Sequence, residues 1–289
     1  MKAAETMERA AVLGAGTMGS GIAQVCAASG LEVGLYDLKT EFLEHARARI
    51  EKSLGRLVEK GKLDRKGAEK IVARIHPATS LDAVCRGADL VVEAVPEDLA
   101  LKSSLWKGVE SRVPDEALLA TNTSSLSIDS LADSLRRPER FLGLHFFNPV
   151  PVMKLLEIVT GHGTHPAAVE IASTLARRLG KEPIVVRNSP GFASSRLGIA
   201  LAMEAIRMLE EGVAAAEDID RAMELGYRHP MGPLRLTDLV GLDVRLGIAR
   251  HLEETLGGRF RPPALPEKMV AEGRLGRKSG AGFYTWKEA

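Results

Sequence analysis

The run Gly14-Ala15-Gly16-Thr17-Met18-Gly19 constrains this chain more than any other feature. It matches G-x-G-x-x-G, follows an apolar stretch, Glu8 to Leu13, that reads as a strand, and opens an amphipathic stretch, Thr17 to Ser29, that reads as a helix. A second strand is expected over Leu31 to Asp37. Strand, glycine turn, helix and strand make a βαβ unit. In such a unit the first glycine permits the tight turn, the second lets the backbone approach a pyrophosphate, and the third lets the helix pack on the strand. Amides at the helix start, those of Thr17 and Met18, then face the phosphates. Gly14, Gly16, Thr17, Met18 and Gly19 are therefore candidates for holding a dinucleotide, against the plainer alternative of an ordinary glycine-rich turn.

Asp37 closes the second strand eighteen residues beyond Gly19, close to the ~20 at which the fingerprint expects an acid. A carboxylate there accepts hydrogen bonds from an adenosine ribose and repels a 2′-phosphate. NAD is the expected cofactor. Lys39 nearby would soften the discrimination, and Asp37 also reads as a helix N-cap.

Further along, charged helical stretches are expected from about Thr40 to Lys60 and from Asp64 to Ile75. Asp89 to Val95 is an apolar run suited to a strand buried on both faces. Leu101 to Val113 reads as a helix, and Ala117 to Thr121 and Phe141 to Phe147 as strands. Leu155 to Thr160 and Pro183 to Val186 add two more, with a helix from Pro166 to Leu179 between them. The alternation predicts an α/β fold with a Rossmann-type, doubly wound, mostly parallel sheet over residues 1–187. After the turn Asn188-Ser189-Pro190-Gly191 no strand is expected. Helices over Phe192 to Glu211, Glu217 to Leu225, Leu234 to Leu256 (with breaks at Gly241 and Gly247) and Ala264 to Glu272 predict an all-helical C-terminal domain over 188–289. Such apolar helices with few aromatics suggest a face buried against a second subunit.

The chemistry points to Gly143-Leu144-His145-Phe146-Phe147-Asn148-Pro149-Val150-Pro151-Val152-Met153-Lys154-Leu155-Leu156-Glu157. An imidazole can take a proton from an alcohol near neutral pH. A carboxylate on its other ring nitrogen fixes the tautomer and steadies the imidazolium. His145 and Glu157 are twelve residues apart across a turn-forming connection, so the chain can fold back and pair them. Downstream of a dinucleotide fingerprint, the chemistry indicated is alcohol oxidation by hydride transfer.

His145-Phe146-Phe147-Asn148-Pro149, with Asn122-Thr123-Ser124-Ser125 upstream and Pro190-Gly191-Phe192 downstream, resembles the L-3-hydroxyacyl-CoA dehydrogenases, including 3-hydroxybutyryl-CoA dehydrogenases. The resemblance extends to Gly280-Ala281-Gly282-Phe283-Tyr284 near the end of the chain. It implies an acyl-CoA substrate and a homodimer formed through the helical domain. It implies His145 as general base with Glu157 as its partner, Ser124 touching the substrate oxygen and the nicotinamide region, and Asn148 helping to hold the substrate. Asn122 reads as a positioning residue. Glu97 and Lys102 would line the nicotinamide side, although they also read as a charge pair on a solvated helix. Ser53 and Lys60 would meet the CoA phosphates, although a solvated face explains them nearly as well. The chain departs from the family at Ser195, where the helix after Pro-Gly-Phe usually carries an asparagine associated with holding the substrate. That keeps open a relative acting on a CoA-free hydroxy acid. A non-catalytic relative is the other alternative, which loss of His145 or Glu157 would favour; both are present.

Several classes fit poorly. With 39 basic and 38 acidic residues the net charge is +1, which argues against nucleic acid or an anionic membrane as partner. No apolar run reaches membrane length. The first nine residues hold two glutamates and no apolar core, unlike a signal peptide. Cys26 and Cys85 make neither a disulfide framework nor a zinc site, so no metal is expected and a reducing cytoplasm is. No Tyr-x-x-x-Lys occurs: Tyr36, Tyr227 and Tyr284 are followed four residues on by Thr40, Met231 and Glu288. Amides are scarce, with Gln24 the only glutamine and Asn122, Asn148 and Asn188 the only asparagines. That depletion suits a thermophilic source or nucleotide bias equally.

Overall fold

The structure, a computed structural model, describes residues 1–286. The chain divides into two compact units, Met1–Asn188 and a second that begins at Ser189.

The first unit is an eight-stranded sheet. Its strands are β1 (Arg9–Leu13), β2 (Glu32–Tyr36), β3 (Ile75–Ala78), β4 (Leu90–Glu93), β5 (Leu118–Thr121), β6 (Phe141–Phe146), β7 (Leu155–Thr160) and β8 (Glu182–Arg187). The order is β3-β2-β1-β4-β5-β6-β7-β8. Every neighbouring pair is parallel except β6 and β7. From β1 the chain builds outward through β2 and β3, then returns to lay β4, β5 and β6 on the other side. The reversal between β1 and β4 is the switch point at which α/β sheets bind ligands. The central strands β4 and β5 are buried along their whole length, which explains their unbroken apolar sequence.

Helices α1 (Thr17–Ala28), α2 (Thr40–Glu59), α3 (Arg65–Ala73), α4 (Leu81–Cys85), α5 (Leu99–Glu110), α6 (Ile128–Ala132) and α7 (Pro166–Arg178) complete the unit. Ile22, Ala23, Cys26 and Ala27 of α1 pack with Val12, Val33 and Leu35 in the main core. Burial pushes the Cys26 and Cys85 thiols up to about 12, so neither is a nucleophile near neutral pH.

One expected element is corrected here. The stretch to Ile75 reads as helical, yet Ile75-His76-Pro77-Ala78 forms β3. It is an edge strand, a place in a sheet where a proline is tolerated.

The second unit is helical: α8 (Ser194–Glu210), α9 (Ala216–Tyr227), α10 (Pro233–Val240), α11 (Leu242–Leu256) and α12 (Ala264–Ala271). The expected break at Gly241 is present, with φ +107. The one at Gly247 is not, and α11 runs through it. Ile199, Met203 and Ile206 of α8 pack with Ile219, Leu234, Ala249 and Leu252. The Gly280–Tyr284 motif proves to be a docking element. Asp238, fully buried on α10, accepts hydrogen bonds from the Phe283 and Tyr284 amides (2.9 and 3.0 Å) and from Trp286 Nε1 (2.8 Å). Asp220 on α9 accepts from the Tyr284 hydroxyl (2.7 Å). A Cβ at Gly282 would lie 2.1 Å from Asp238 Oδ1, so the motif needs glycine there.

Candidate active site

The glycine turn leaves β1 beside β4. Gly14 has φ +102, and a Cβ on it would lie 2.6 Å from the Ala94 carbonyl oxygen. A Cβ on Gly19 would fall 1.8 Å from the Gly14 oxygen. Both glycines are demanded by the protein's own packing. Gly16 differs: a Cβ there would meet nothing within 4 Å. The space beside Gly16 therefore lies open to a ligand, which is what a pyrophosphate needs. Gly16 caps α1 without a side-chain hydrogen bond, and no acid stands in the first turn. The first-turn amides, including those of Thr17 and Met18, are left to an anion.

Asp37 does not cap α2, whose N-cap is Lys39. Its carboxylate instead braces the turn, accepting from the Ala15 amide and the Leu38 amide, each at 2.7 Å. The Lys39 ammonium lies over the Phe42 ring, 5.8 Å from its centre. Arg49, which gave no signal in the sequence, reaches from α2 to donate to the Ala15 carbonyl at 2.5 Å.

At the ends of the next strands sits a buried polar network. Glu93, the last residue of β4, is wholly buried, and Lys102 on α5 is 1% exposed. The Lys102 ammonium contacts Glu93 Oε1 at 2.5 Å, the Val95 carbonyl at 3.1 Å and Glu97 Oε2 at 3.3 Å. Lys102 and Glu97 are thus no pair on a solvated helix. The Thr121 hydroxyl donates to Glu93 Oε2 at 2.7 Å. Glu97 Oε1 gathers the next loop, accepting from the Thr123 hydroxyl (2.6 Å), the Ser124 amide (2.9 Å) and the Ser125 amide and hydroxyl (3.1 and 3.0 Å). Burial alone would push the Glu97 carboxyl up. The Lys102 ammonium and the hydrogen bonds from Thr123, Ser124 and Ser125 outweigh it and hold the carboxyl below its usual range. The order this lends the loop is full above the ordinary glutamate value of about 4.3. It is lost as pH falls through the depressed one. Ser124 is no helix cap; Ser127 caps α6 instead. Asn122 Oδ1 accepts from the Phe146 amide at 2.9 Å and ties the end of β5 to the end of β6.

β6 and β7 bring the catalytic candidates together. The antiparallel register sets His145 directly opposite Glu157, and facing residues in a sheet project to the same side. His145 Nδ1 lies 2.7 Å from Glu157 Oε2. His145 is 7% exposed and Glu157 is wholly buried. The Phe147 ring packs against the imidazole, with centres 4.5 Å apart. Two other histidines also meet carboxylates, His76 with Glu32 and His162 with Asp129, each at 2.8 Å. Those pairs are exposed, and water screens them.

Asn148 follows on the exposed loop between β6 and β7. Lys181 anchors that loop: its buried ammonium donates to the Val150 carbonyl and, at 2.8 Å, to the Met153 carbonyl. Burial, with the charge of Lys154, holds this ammonium below the usual lysine range. Ser53 and Lys60 lie seven residues apart, two turns along one side of α2 and its C-cap, and among the described residues no contact joins them to the His145 cluster. Ser195 lies on α8 in the second unit. Asn188, which closes the first, makes hydrogen bonds of its own to Ile128, Ser127 and Asp129. Among the described residues no group of histidine, cysteine, aspartate and glutamate is arranged to hold a metal ion. Among the described residues no helix is long and apolar enough to cross a membrane.

Residues 9–189 match the 3-hydroxyacyl-CoA dehydrogenase NAD binding domain, and residues 191–286 match the 3-hydroxyacyl-CoA dehydrogenase C-terminal domain. The chain belongs to the 3-hydroxyacyl-CoA dehydrogenase family. It is an NAD-dependent oxidoreductase. A probable 3-hydroxybutyryl-CoA dehydrogenase of Deinococcus radiodurans is 47% identical over 276 residues, covering 95% of this chain and 99% of the relative. The mitochondrial hydroxyacyl-coenzyme A dehydrogenase of Sus scrofa is 41% identical over 283 residues, covering 96% and 90%. The crystal structure of (S)-3-hydroxybutyryl-CoA dehydrogenase from Ralstonia eutropha matches with a TM-score of 0.93 at 41% identity, covering 98% of this chain and all of that one.

Proposed function

We propose that this enzyme interconverts L-3-hydroxyacyl-CoA and 3-oxoacyl-CoA, with His145 as the general base for oxidation and the acid for reduction. The buried His145–Glu157 pair carries the reading. It stands at the C-terminal edge of the sheet that bears the glycine turn, where α/β folds place their chemistry. NAD, when bound, accepts the hydride from C3 of the substrate. With Glu157 ionised, the imidazole keeps a proton on Nδ1, and Nε2 exchanges the proton of the substrate hydroxyl. Glu157 then offsets the positive charge that develops on the ring. Ser124 and Asn148 hold the substrate oxygen near His145, and Asn122 fixes the strand end that carries the base. Gly14, Gly16, Gly19 and the amides of Thr17 and Met18 receive the pyrophosphate. Asp37 receives the adenosine ribose, and Glu97 and Lys102 shape the nicotinamide side. Ser53, Lys60 and Ser195 contribute contacts to the CoA ester. Residues 1–187 form the NAD-binding domain and 188–289 the substrate and dimerisation domain, in a cytoplasmic enzyme.

The deciding measurement compares acetoacetyl-CoA with free acetoacetate, each with NADH. The ester is expected to win in kcat/KM by at least ~10²-fold, because remote CoA contacts supply binding energy that a free acid lacks. A free acid that matches the ester overturns the substrate assignment and favours a CoA-free relative. It would leave the role of His145 standing.

Asp37 sets cofactor preference. kcat/KM with NADH is expected to exceed that with NADPH more than tenfold. Asp37→Ala narrows that ratio, and also loosens the turn through loss of the bond to the Ala15 amide. A wild-type preference for NADPH contradicts this role.

The subunit contact is assigned to the second unit, where Leu197, Val213, Leu225 and Tyr227 stand exposed. Light scattering at micromolar concentration should return about twice the 31.1 kDa chain mass. A monomer would refute the dimer.

A further inference from the structure

Arg245, on α11 of the second unit, is 7% exposed, and its Nε has no hydrogen-bond partner among the described residues. Burial pulls the guanidinium down to about 10, and among the described residues no carboxylate opposes it. It nevertheless stays charged near neutral pH. A cation taken out of water without a counter-charge is costly, and buried arginines are ordinarily paired. Among the described residues the Nε of Arg245 is a buried donor without an acceptor.

The neighbouring helix makes room for it. A Cβ on Gly198 would lie 2.9 Å from Arg245 Nη1. Gly198 stands inside α8, where glycine is the least favourable residue short of proline. The guanidinium occupies the space the missing side chain leaves. Gly198 is also three residues beyond Ser195, so the two lie on neighbouring ground on one side of α8. Ser195 is a position to which the proposed function gives a contact with the CoA ester.

We propose that Arg245 is a substrate-binding residue that takes an oxyanion of the acyl-CoA, on the side of α8 that carries Ser195. The inference rests on the reading of the chain as an acyl-CoA enzyme. A guanidinium offers a planar fork of donors that fits a carboxylate or a phosphate in two-point fashion. An acyl-CoA can present that chemistry from two places, a carboxylate at the far end of the acyl chain or the phosphates of CoA.

Three thioesters separate the sources in wild type and Arg245→Met. Acetoacetyl-CoA carries the phosphates only, 3-oxoadipyl-CoA carries the phosphates and an acyl-chain carboxylate, and the acetoacetyl thioester of N-acetylcysteamine carries neither. If the acyl carboxylate is the ligand, the variant loses at least ~20-fold in kcat/KM on 3-oxoadipyl-CoA alone. If the CoA phosphates are, it loses as much on both CoA esters and little on the small thioester. Arg245→Lys, which keeps the charge, recovers part of either loss. Gly198→Val, which keeps the arginine but displaces it, reproduces the selective loss. Removing an unpaired buried charge should leave Tm at or above the wild-type value, so misfolding does not obscure the comparison. Equal losses on all three thioesters, or no loss on any, would overturn the proposal. So would a fall in the mass read by light scattering, which would assign Arg245 to the subunit contact. Wild-type turnover of acetoacetyl-CoA tests the activity itself separately, whatever the fate of Arg245.

Discussion

His145→Gln is expected to lower kcat by ~10²–10⁴-fold, the usual worth of a positioned general base, while the affinity for NADH stays close to that of wild type. Glutamine has about the reach of the imidazole but cannot carry a proton between substrate and water near neutral pH. The side chain faces Glu157 across two hydrogen-bonded strands and takes no part in the glycine turn, so cofactor binding should be spared. Fluorescence titration with NADH, alongside steady-state turnover of acetoacetyl-CoA, separates the two effects. Activity within threefold of wild type would remove His145 from the mechanism. A parallel loss of NADH affinity would recast it as structural.

Lys102→Met is expected to be the most destabilising single change in the first unit. The substitution nearly keeps the volume but strips the counter-charge from Glu93, which no water reaches. Breaking one partner of a buried pair typically costs about 3–5 kcal/mol, since a lone charge is left in a medium that solvates it poorly. Glu97 loses its ammonium as well, so the Thr123–Ser125 loop slackens and kcat/KM should fall with the unfolding midpoint. Urea unfolding of Lys102→Met beside the double variant Lys102→Met/Glu93→Gln provides the check. The second change should restore much of the stability, because no uncompensated charge remains. A single variant as stable as wild type would mean that the ion pair supports nothing.

The parts of the fold legible in the sequence were those whose physics is local. A glycine turn between an apolar strand and an amphipathic helix announces itself over thirty residues, and the paired run of β4 announces its burial. β3 was not legible, because His76 and Pro77 suppress the strand signal and only its edge position permits them. The site divides along the same line. His145 stood out through its neighbours and the family resemblance, and a turn-forming link suggested that Glu157 could reach it. That the two stand face to face depends on strand register, which no single residue encodes. Glu93 was invisible: inside the run Asp89 to Val95 it drew no reading of its own, and its partner Lys102 lies nine residues on. Lys181 and Arg49 act on backbone carbonyls, contacts without a sequence signature. Arg245 drew no reading in the sequence, because burial of one charge on a helix depends on what packs against it.

The antiparallel pairing of β6 with β7 makes catalysis a matter of parity. Side chains alternate across a strand, so whether Glu157 meets His145 depends on an odd or even count along the two strands and on the register that their connection sets. One extra residue between Leu155 and Leu156 in β7 would turn the carboxylate to the opposite face and leave Leu156 against the imidazole. The composition and the surface charge would hardly change. The loop that carries Asn148 is held by Lys181 through the Val150 and Met153 carbonyls, and the strands on either side tolerate substitution but not a change of count. Two chains nearly identical in sequence would thus differ in activity through a single inserted residue that lies outside the glycine turn.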